Sequence, residues 1–358
     1  MTGLEISREL SAPTPEDRLG ALSLLLKKTV LPPQRGRTVG HIHTSYSFSP
    51  YSPASAAFFA RLSGCSGAGI IDHDTAAGTR EFFEAGRILG IETGSGVECR
   101  VSMAGTPFES VYTNNPCQAG ISYFTLQGLS LDSADRLTEY FTPYRSLRLS
   151  RGRAMTERIA SLLPEAVISF DDDVIPLSMC SFGGTVTERH ILYALAVRLV
   201  SVFGRGKKLE ERLSELCAVL TEKQKEHILD TGNPYYEYDV MHMLKGWFAG
   251  EFYIPAGDEC MAMAELTALA RREGAICCYA YLGDISDSVT EDKAPRAFED
   301  SYLKKLLSFL KEAGVDAVTH SQTRNTAKQT AGLLSLCGSL KLAAIEGGDI
   351  NSPRQEFI

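Results

Sequence analysis

The sequence predicts an α/β fold in which a parallel sheet covered by helices is split into two halves by a mostly helical insertion. Three observations predict it. From Thr38 to Met103 short apolar runs alternate with amphipathic segments in the order βαβαβ; residues 258–358 repeat that alternation; and residues 130–257 between them follow the 3.6-residue period almost throughout. With 44% hydrophobic and 22% charged residues in 358, there is apolar material for one large core or two smaller ones.

Residues 1–36 form an N-terminal extension, in which Pro15, Glu16 and Asp17 read as a first helical turn before LGALSLLLKK, and Pro32 and Pro33 as its stop. Residues 37–129 hold the first part of the sheet: VGHIH, the helix PASAAFFARLSG, the strand GAGIIDHD, the helix TREFFEAGRILG and the strand ETGSGVECRVSM. The insertion contributes SADRLTEYF, TERHILYALAVRLVSVFG, LEERLSELCAVL and EKQKEHILD, broken by one strand-like run, AVISF. The second part of the sheet follows as the helix AELTALARREG, the strand AICCYAYLG, a helix around AFEDSYLKKLLSFLKEAG, the strand DAVTH, the helix TAKQTAGLLSLCG and the strand KLAAIEGGDI.

A net charge of −8 repels polyphosphate backbones, which argues against nucleic acid as the main partner, while local cations leave a small anionic substrate open. No run approaches the roughly 18 apolar residues of a membrane span, and MTGLEISREL lacks a secretory apolar block, so a soluble, cytoplasmic protein without a membrane partner is expected. Nine scattered cysteines without a CxxC point to small buried hydrophobes, not to disulfides or a zinc knuckle; Cys277 and Cys278 are adjacent on a strand, so at most one can face a site. Composition does not specify an oligomer.

The chemistry concentrates at three strand ends. His41 and His43 alternate on one strand and project from the same face, either as a two-imidazole fork for a cation or as two exposed strand-end histidines. The next strand ends in Asp72, His73 and Asp74, and the third delivers Glu98 after Gly94 and Gly96. In a parallel arrangement these ends share one rim, where barrels of this kind keep their sites. Imidazoles mixed with carboxylates suit zinc, manganese or iron, and Glu98 could bridge two ions.

GHIHTSYSFS, GIIDHDTAAGTREFFEAG and GIETGSGVECR resemble the first motifs of PHP (polymerase and histidinol phosphatase) domains: HxHT, TDHDT followed by a helix, and a GxE strand end. The resemblance is close from Gly40 to Arg100 and loose in the last strand. It implies a distorted (β/α)7 TIM-like barrel that hydrolyses phosphoesters, with His41, His43, His73 and Glu98 as metal ligands and Asp349 of EGGDIN at the late GxD position. The chain also departs from the family. Phe48 and Ser49 stand where a further ligand usually follows the first motif, Tyr279 or Tyr281 where a histidine usually follows a middle strand, and Asn351 where a final histidine pairs with the late aspartate. One or two ions per chain are therefore expected, fewer than a three-metal site holds.

His320, ending DAVTH at the same rim, is the best substitute ligand, with a hydrogen-bonding strand-end role as the alternative. His190 opens a helix after Gly183 and Gly184, where helix packing is expected; His227 and His242 fall in insertion helices, with surface or core packing expected. Arg324, Arg189 and Arg354 are the substrate-binding candidates, because guanidinium clamps phosphate bidentately; surface ion pairs are the competing reading. Residues 283–288 (GDISDS) read as turn chemistry, and neither Gly94-x-Gly96 nor Gly183-Gly184 has the spacing of a phosphate-cradling loop.

The expected mechanism is metal-assisted hydrolysis of a small phosphorylated substrate. His41, His43, Glu98, Asp349 and His320 hold the cations, Asp72 and His73 are the catalytic candidates, His73 serves either as a second-ion ligand or as a general acid, and Asp72 or Asp74 orients the ligands. C–N bond hydrolysis, a catalytically silent regulatory or scaffolding barrel, and a functional interface on the insertion are the rivals. The insertion is expected to cover the barrel mouth and bring Arg189 to the substrate.

Overall fold

In the computed structural model, residues 3–216, 220–285, 298–321 and 324–357 are described; Cys217, Ser286, Asp287, Ser288, Gln322 and Thr323 lie outside them. Strands β1 (Arg37–Ile42), β2 (Cys65–His73) and β3 (Glu92–Ser102) run parallel, as the βαβαβ pattern predicts. The sequence reading stopped at Met103 and missed β4 (Ile121–Gln127), which lies antiparallel to both of its neighbours. A two-residue strand, β5 (Met261–Ala262), pairs with the end of β3. The sheet then continues through β6 (Ile276–Ala280), β7 (Ala317–His320) and β8 (Ala343–Glu346), giving the order β1-β2-β3-β4-β6-β7-β8. One parallel bridge, Ile42 to Ile350, brings the two edges together: the His43 N–H donates to Ile350 (2.8 Å) and the Ile350 N–H to His41 (2.9 Å). The seven strands on this path thus form a nearly closed, distorted TIM-like barrel.

Strand β2 is buried on both faces along most of its length, as expected for a parallel strand covered by helices. Its Gly69 is required by packing, because a Cβ there would meet the Gly40 carbonyl oxygen at 2.9 Å. Helices α1 (Gly3–Glu9), α2 (Pro15–Leu26), α3 (Pro53–Leu62) and α4 (Thr79–Leu89) lie outside these first strands. Thr14 caps α2 through the Asp17 N–H, and the buried Arg18 guanidinium grips Glu81 of α4 at 2.6 Å, so the extension is docked by an ion pair as well as by Leu22 and Leu25.

After β4 the chain forms α5 (Leu131–Tyr140), α6 (Thr142–Leu162), α7 (Glu188–Phe203), α8 (Lys207–Leu216), α9 (Glu222–Leu229), α10 (Tyr236–Trp247) and α11 (Ala249–Phe252). Ala134 and Leu137 of α5 join the barrel core, together with Leu266 and Leu269 of α12 (Met263–Glu273) and Leu306 of α13 (Leu303–Glu312). A separate core forms from Met155 and Ile159 of α6, Leu192 and Leu195 of α7 and Leu244 of α10. The last helix, α14 (Ala327–Leu340), precedes β8. AVISF is not a strand: Ala166 ends a 3₁₀ turn and Phe170 begins a π turn that Ser169 caps through the Asp172 N–H, a polar local solution that overrides the β-prone composition. Among the described residues no helix is long and apolar enough to cross a membrane.

Candidate metal centre

The rim of the barrel gathers the predicted ligands. The rings of His41 and His43 are 5.0 Å apart and those of His43 and His73 4.7 Å apart. His43 Nε2 lies 3.3 Å from Asp349 Oδ1 and 3.7 Å from Glu98 Oε2, and His73 Nδ1 lies 3.0 Å from Glu98 Oε2. Asp349 follows β8 at φ +45, a left-handed conformation that an aspartate tolerates, and Gly347 before it leaves room for His41, whose Cβ a side chain there would meet at 2.9 Å. Two groups of donors, His41/His43/Asp349 and His43/His73/Glu98, each lie within 4.8 Å of one another. They share His43, whose Nδ1 contacts Ser47 Oγ at 3.3 Å. Its one remaining ring nitrogen can serve one cation, so the cluster suits one ion, or two ions that divide the other donors.

The residues fit a metal. His41 Nε2 and His320 Nδ1 are buried and make no hydrogen bond with the described residues, an arrangement that is costly unless another partner takes the nitrogen. His73 Nδ1 also lacks a well-aligned hydrogen bond despite its close approach to Glu98. Burial, then the charge of His43, pushes His41 down to about 3 and holds His73 well below the ordinary imidazole range. Burial acts downward on His43 too, but its hydrogen bond to Asp349 and the charge of Glu98 outweigh it and raise the group. Burial pushes Glu98 up to about 7 with help from Asp349, whereas Arg324 and His43 overcome burial at Asp349 and hold it well below the carboxylate range. The neutral imidazoles of His41 and His73 beside crowded carboxylates are donors a borderline divalent cation takes.

These contacts choose between the two readings that the sequence left for Asp72 and for Arg354. Asp72 does not face the reacting space: its carboxylate accepts from the Thr44 N–H (2.7 Å), Thr44 Oγ1 (2.6 Å) and Ser47 Oγ (2.5 Å), so it reaches His43 only through Ser47 and orients it. Arg354 turns away from the site to form a bidentate pair with Asp239 of α10 at 2.6 and 2.7 Å, stacked over Tyr235, and so fastens the end of the chain to the insertion. His190 caps α7, accepting the Thr187 N–H at 3.0 Å, and its ring meets Phe48 edge-on at 5.0 Å; Phe48 is thus an apolar plug into the insertion. Tyr279 is core, its hydroxyl donating to buried Glu299, while Tyr281 lines the cavity. Asn351 donates to Asp349 Oδ1 at 3.0 Å.

Above the cluster lies a cavity of about 240 Å³, whose walls include His320, Arg324 and Arg189. Arg324 Nη2 sits 2.8 Å from Asp349 Oδ2. Besides Arg189, the insertion contributes Arg148 of α6, Leu192 of α7 and Phe252 of α11, and the loop before β4 adds Asn114 and Asn115. Sequence reasoning missed the buried ionic network beside this cavity. Arg100 pairs with Glu188 (2.7 Å) and Glu259 (2.6 Å), Arg151 with the same two (2.6 and 2.7 Å), and Arg148 with Asp74 (2.9 Å). The one available signal was that Arg100 shares the inward face of β3 with Glu98.

Solved structures share this architecture. A provisionally named metal-dependent phosphoesterase from Bifidobacterium adolescentis overlays with a TM-score of 0.59 at 19% identity, covering 90% of this chain and 91% of that one. An amidohydrolase from Chromobacterium violaceum, described with bound sulfate and no metal, gives 0.57 at 15% identity over 88% of each chain. The shared fold is the distorted TIM-like α/β barrel. At these identities the likeness is one of fold alone. No protein-family model matches the chain, and no curated protein does. Within this barrel, the cavity at the rim that carries the three strand-end motifs is lined in part by residues of the insertion.

Proposed function

We propose that this chain is a metal-dependent hydrolase that cleaves a phosphoester of a small substrate. The observation that carries the reading is the convergence of His41, His43, His73, Glu98 and Asp349, with unpartnered imidazole nitrogens, at the floor of a cavity whose walls hold Arg324 and Arg189. The cation, one or two of zinc, manganese or iron per chain, would be held by His41, His43 and Asp349, and by His73 and Glu98 with His320. Such an ion polarises a phosphoryl oxygen and lowers the pKa of a water towards neutrality.

The chain's own residues do the rest. Asp72, acting through Ser47, fixes the ring of His43 so that Nε2 faces the acids. Arg324 orients Asp349 and, with Arg189, presents guanidinium to an oxyanion. His73, kept neutral by burial, would offer its lone pair to a cation, and the same neutrality takes it out of the role of general acid. The insertion excludes water from the reacting space. A second reading, C–N bond hydrolysis, has the overlay on the Chromobacterium amidohydrolase in its favour.

Release of inorganic phosphate from a panel of small phosphomonoesters, with protein stripped of metal and reloaded with manganese or zinc, tests the proposal. Phosphate release abolished by chelator supports it. Turnover confined to a parallel amide panel moves the assignment to the second reading, and metal binding without turnover of either panel makes the barrel a silent one.

A further inference from the structure

The chain leaving β2 is gripped by the insertion. Asp74, directly after His73, is a non-glycine residue at φ +53. Its N–H donates to the Glu98 carbonyl (2.8 Å), its own carbonyl accepts from Arg145 Nη1 (2.8 Å), and its carboxylate lies 2.9 Å from Arg148 Nη1. Both side chains of that ion pair are at most 5% exposed. The contact is electrostatic more than directional, since Arg148 Nη1 lacks a well-aligned hydrogen bond. The next two residues are held from the same side: Thr75 Oγ1 donates to the Gly183 carbonyl (2.7 Å) and the Ala76 N–H to Thr138 Oγ1 (3.1 Å). Asp74 therefore sits between two ligand-bearing strand ends, joined to His73 through the chain and to Glu98 through its N–H. The hydrolytic reading gives Arg148 no task.

We propose that Arg148 is a positioning residue of the metal centre: by pairing with Asp74 it holds the turn that sets His73 against Glu98, so cation affinity depends on how the insertion is docked. The inference rests on the metal-centre reading above. Without Arg148 the Asp74 side chain loses the partner that ties this turn to α6, so the turn, and His73 with it, is held less closely against Glu98. Residues that orient ligands from behind typically change metal affinity by roughly tenfold to a hundredfold when replaced.

The experiment is calorimetric titration of the metal-stripped full chain with manganese(II) alone. The double variant Arg148→Met/Asp74→Asn leaves no unpaired charge and is expected to bind manganese roughly tenfold to a hundredfold more weakly, with the metal-free melting temperature close to that of the wild type. Arg148→Lys keeps the charge and should restore most of the affinity. Should the double variant not fold, Asp74→Asn alone, which keeps the side chain's shape, is expected to lose at least tenfold. Wild-type affinity in a folded double variant, or in Asp74→Asn, overturns the proposal. A wild-type chain that binds neither manganese(II) nor, in parallel titrations, zinc(II) or iron(II) overturns the metal-centre reading, and this inference with it.

Discussion

Glu259→Gln tests whether the insertion and barrel are joined by charge. The carboxylate is 6% exposed and receives Arg100 Nη1 at 2.6 Å, Arg151 Nε and Nη2 each at 2.7 Å, and Arg148 Nε at 3.6 Å. Burial alone would raise its pKa, but these arginines hold it below the ordinary carboxylate range, so it is charged at neutral pH. Three guanidiniums (Arg100, Arg148, Arg151) face three carboxylates (Glu188, Glu259, Asp74), and the carboxamide leaves one positive charge unmatched. With charge centres about 4 Å apart and an effective dielectric near 20, each close pair is worth about 4 kcal/mol. Part of the lost attraction returns because one carboxylate no longer has to be stripped of water. Breaking a buried pair from one side typically costs about 3–5 kcal/mol, the loss expected here. Guanidinium chloride unfolding at pH 7 measures it. A loss below about 1 kcal/mol would show that water in the cavity screens the network, refuting the argument.

The double replacement His41→Ala/His43→Ala should abolish bound metal in elemental analysis, and the wild-type chain should carry one or two ions; a count of three would refute the division of donors around His43. Arg189→Ala is expected to raise KM at least tenfold while metal content stays unchanged, the pattern of a group that touches substrate and not ion. His190 is held at about 3 by burial against about 6.5 unfolded, so the unfolded chain binds a proton that the folded one refuses. Stability from this residue is therefore full above pH 6.5 and falls by about 1.4 kcal/mol per pH unit towards pH 3. His41 and His73 act in the same direction and Glu98, raised to about 7, in the opposite one, so the informative quantity is the difference between wild type and His190→Asn in denaturant midpoints at pH 7 and pH 5. Equal slopes in the two proteins would remove His190 from the account.

What was legible in the sequence was local. His41 and His43 two residues apart, Asp72 beside His73, and Glu98 at a glycine-rich strand end each announce themselves within a few residues, and parallel order then brings them to one rim. Strand β4 was not legible, because its partners, β3 and β6, run opposite to it and no helix separates it from β3 as the βα rhythm would require. The ionic network was equally hidden: Arg100 meets Glu259 across 159 residues, and three arginines with three acids read as solvated surface until the fold buries them. Arg354 was left between two readings. Its place after a strand end near the rim suggested a phosphate clamp or an ion pair, and the ion pair forms: Asp239, 115 residues away, accepts from Nε and Nη2.

The reversed direction of β4 has a consequence for how the cavity is walled. Every other strand in the barrel path reaches the rim by ending there, whereas β4 begins there, with Ile121 opposite Ser102. Residues 103–120 therefore form a hairpin connection over the cavity, and not a crossover that must also carry a helix back across the sheet. Asn114 pins this connection, donating to the Tyr123 and Ala280 carbonyls at 2.7 Å each and accepting the Tyr123 N–H at 2.8 Å. Before that pin, Phe108 is anchored in the barrel core; after it, Asn115, Pro116 and Cys117 line the cavity. One part of the cavity wall is thus carried by a turn between antiparallel neighbours, while His41, His43 and His73 are carried by parallel strands.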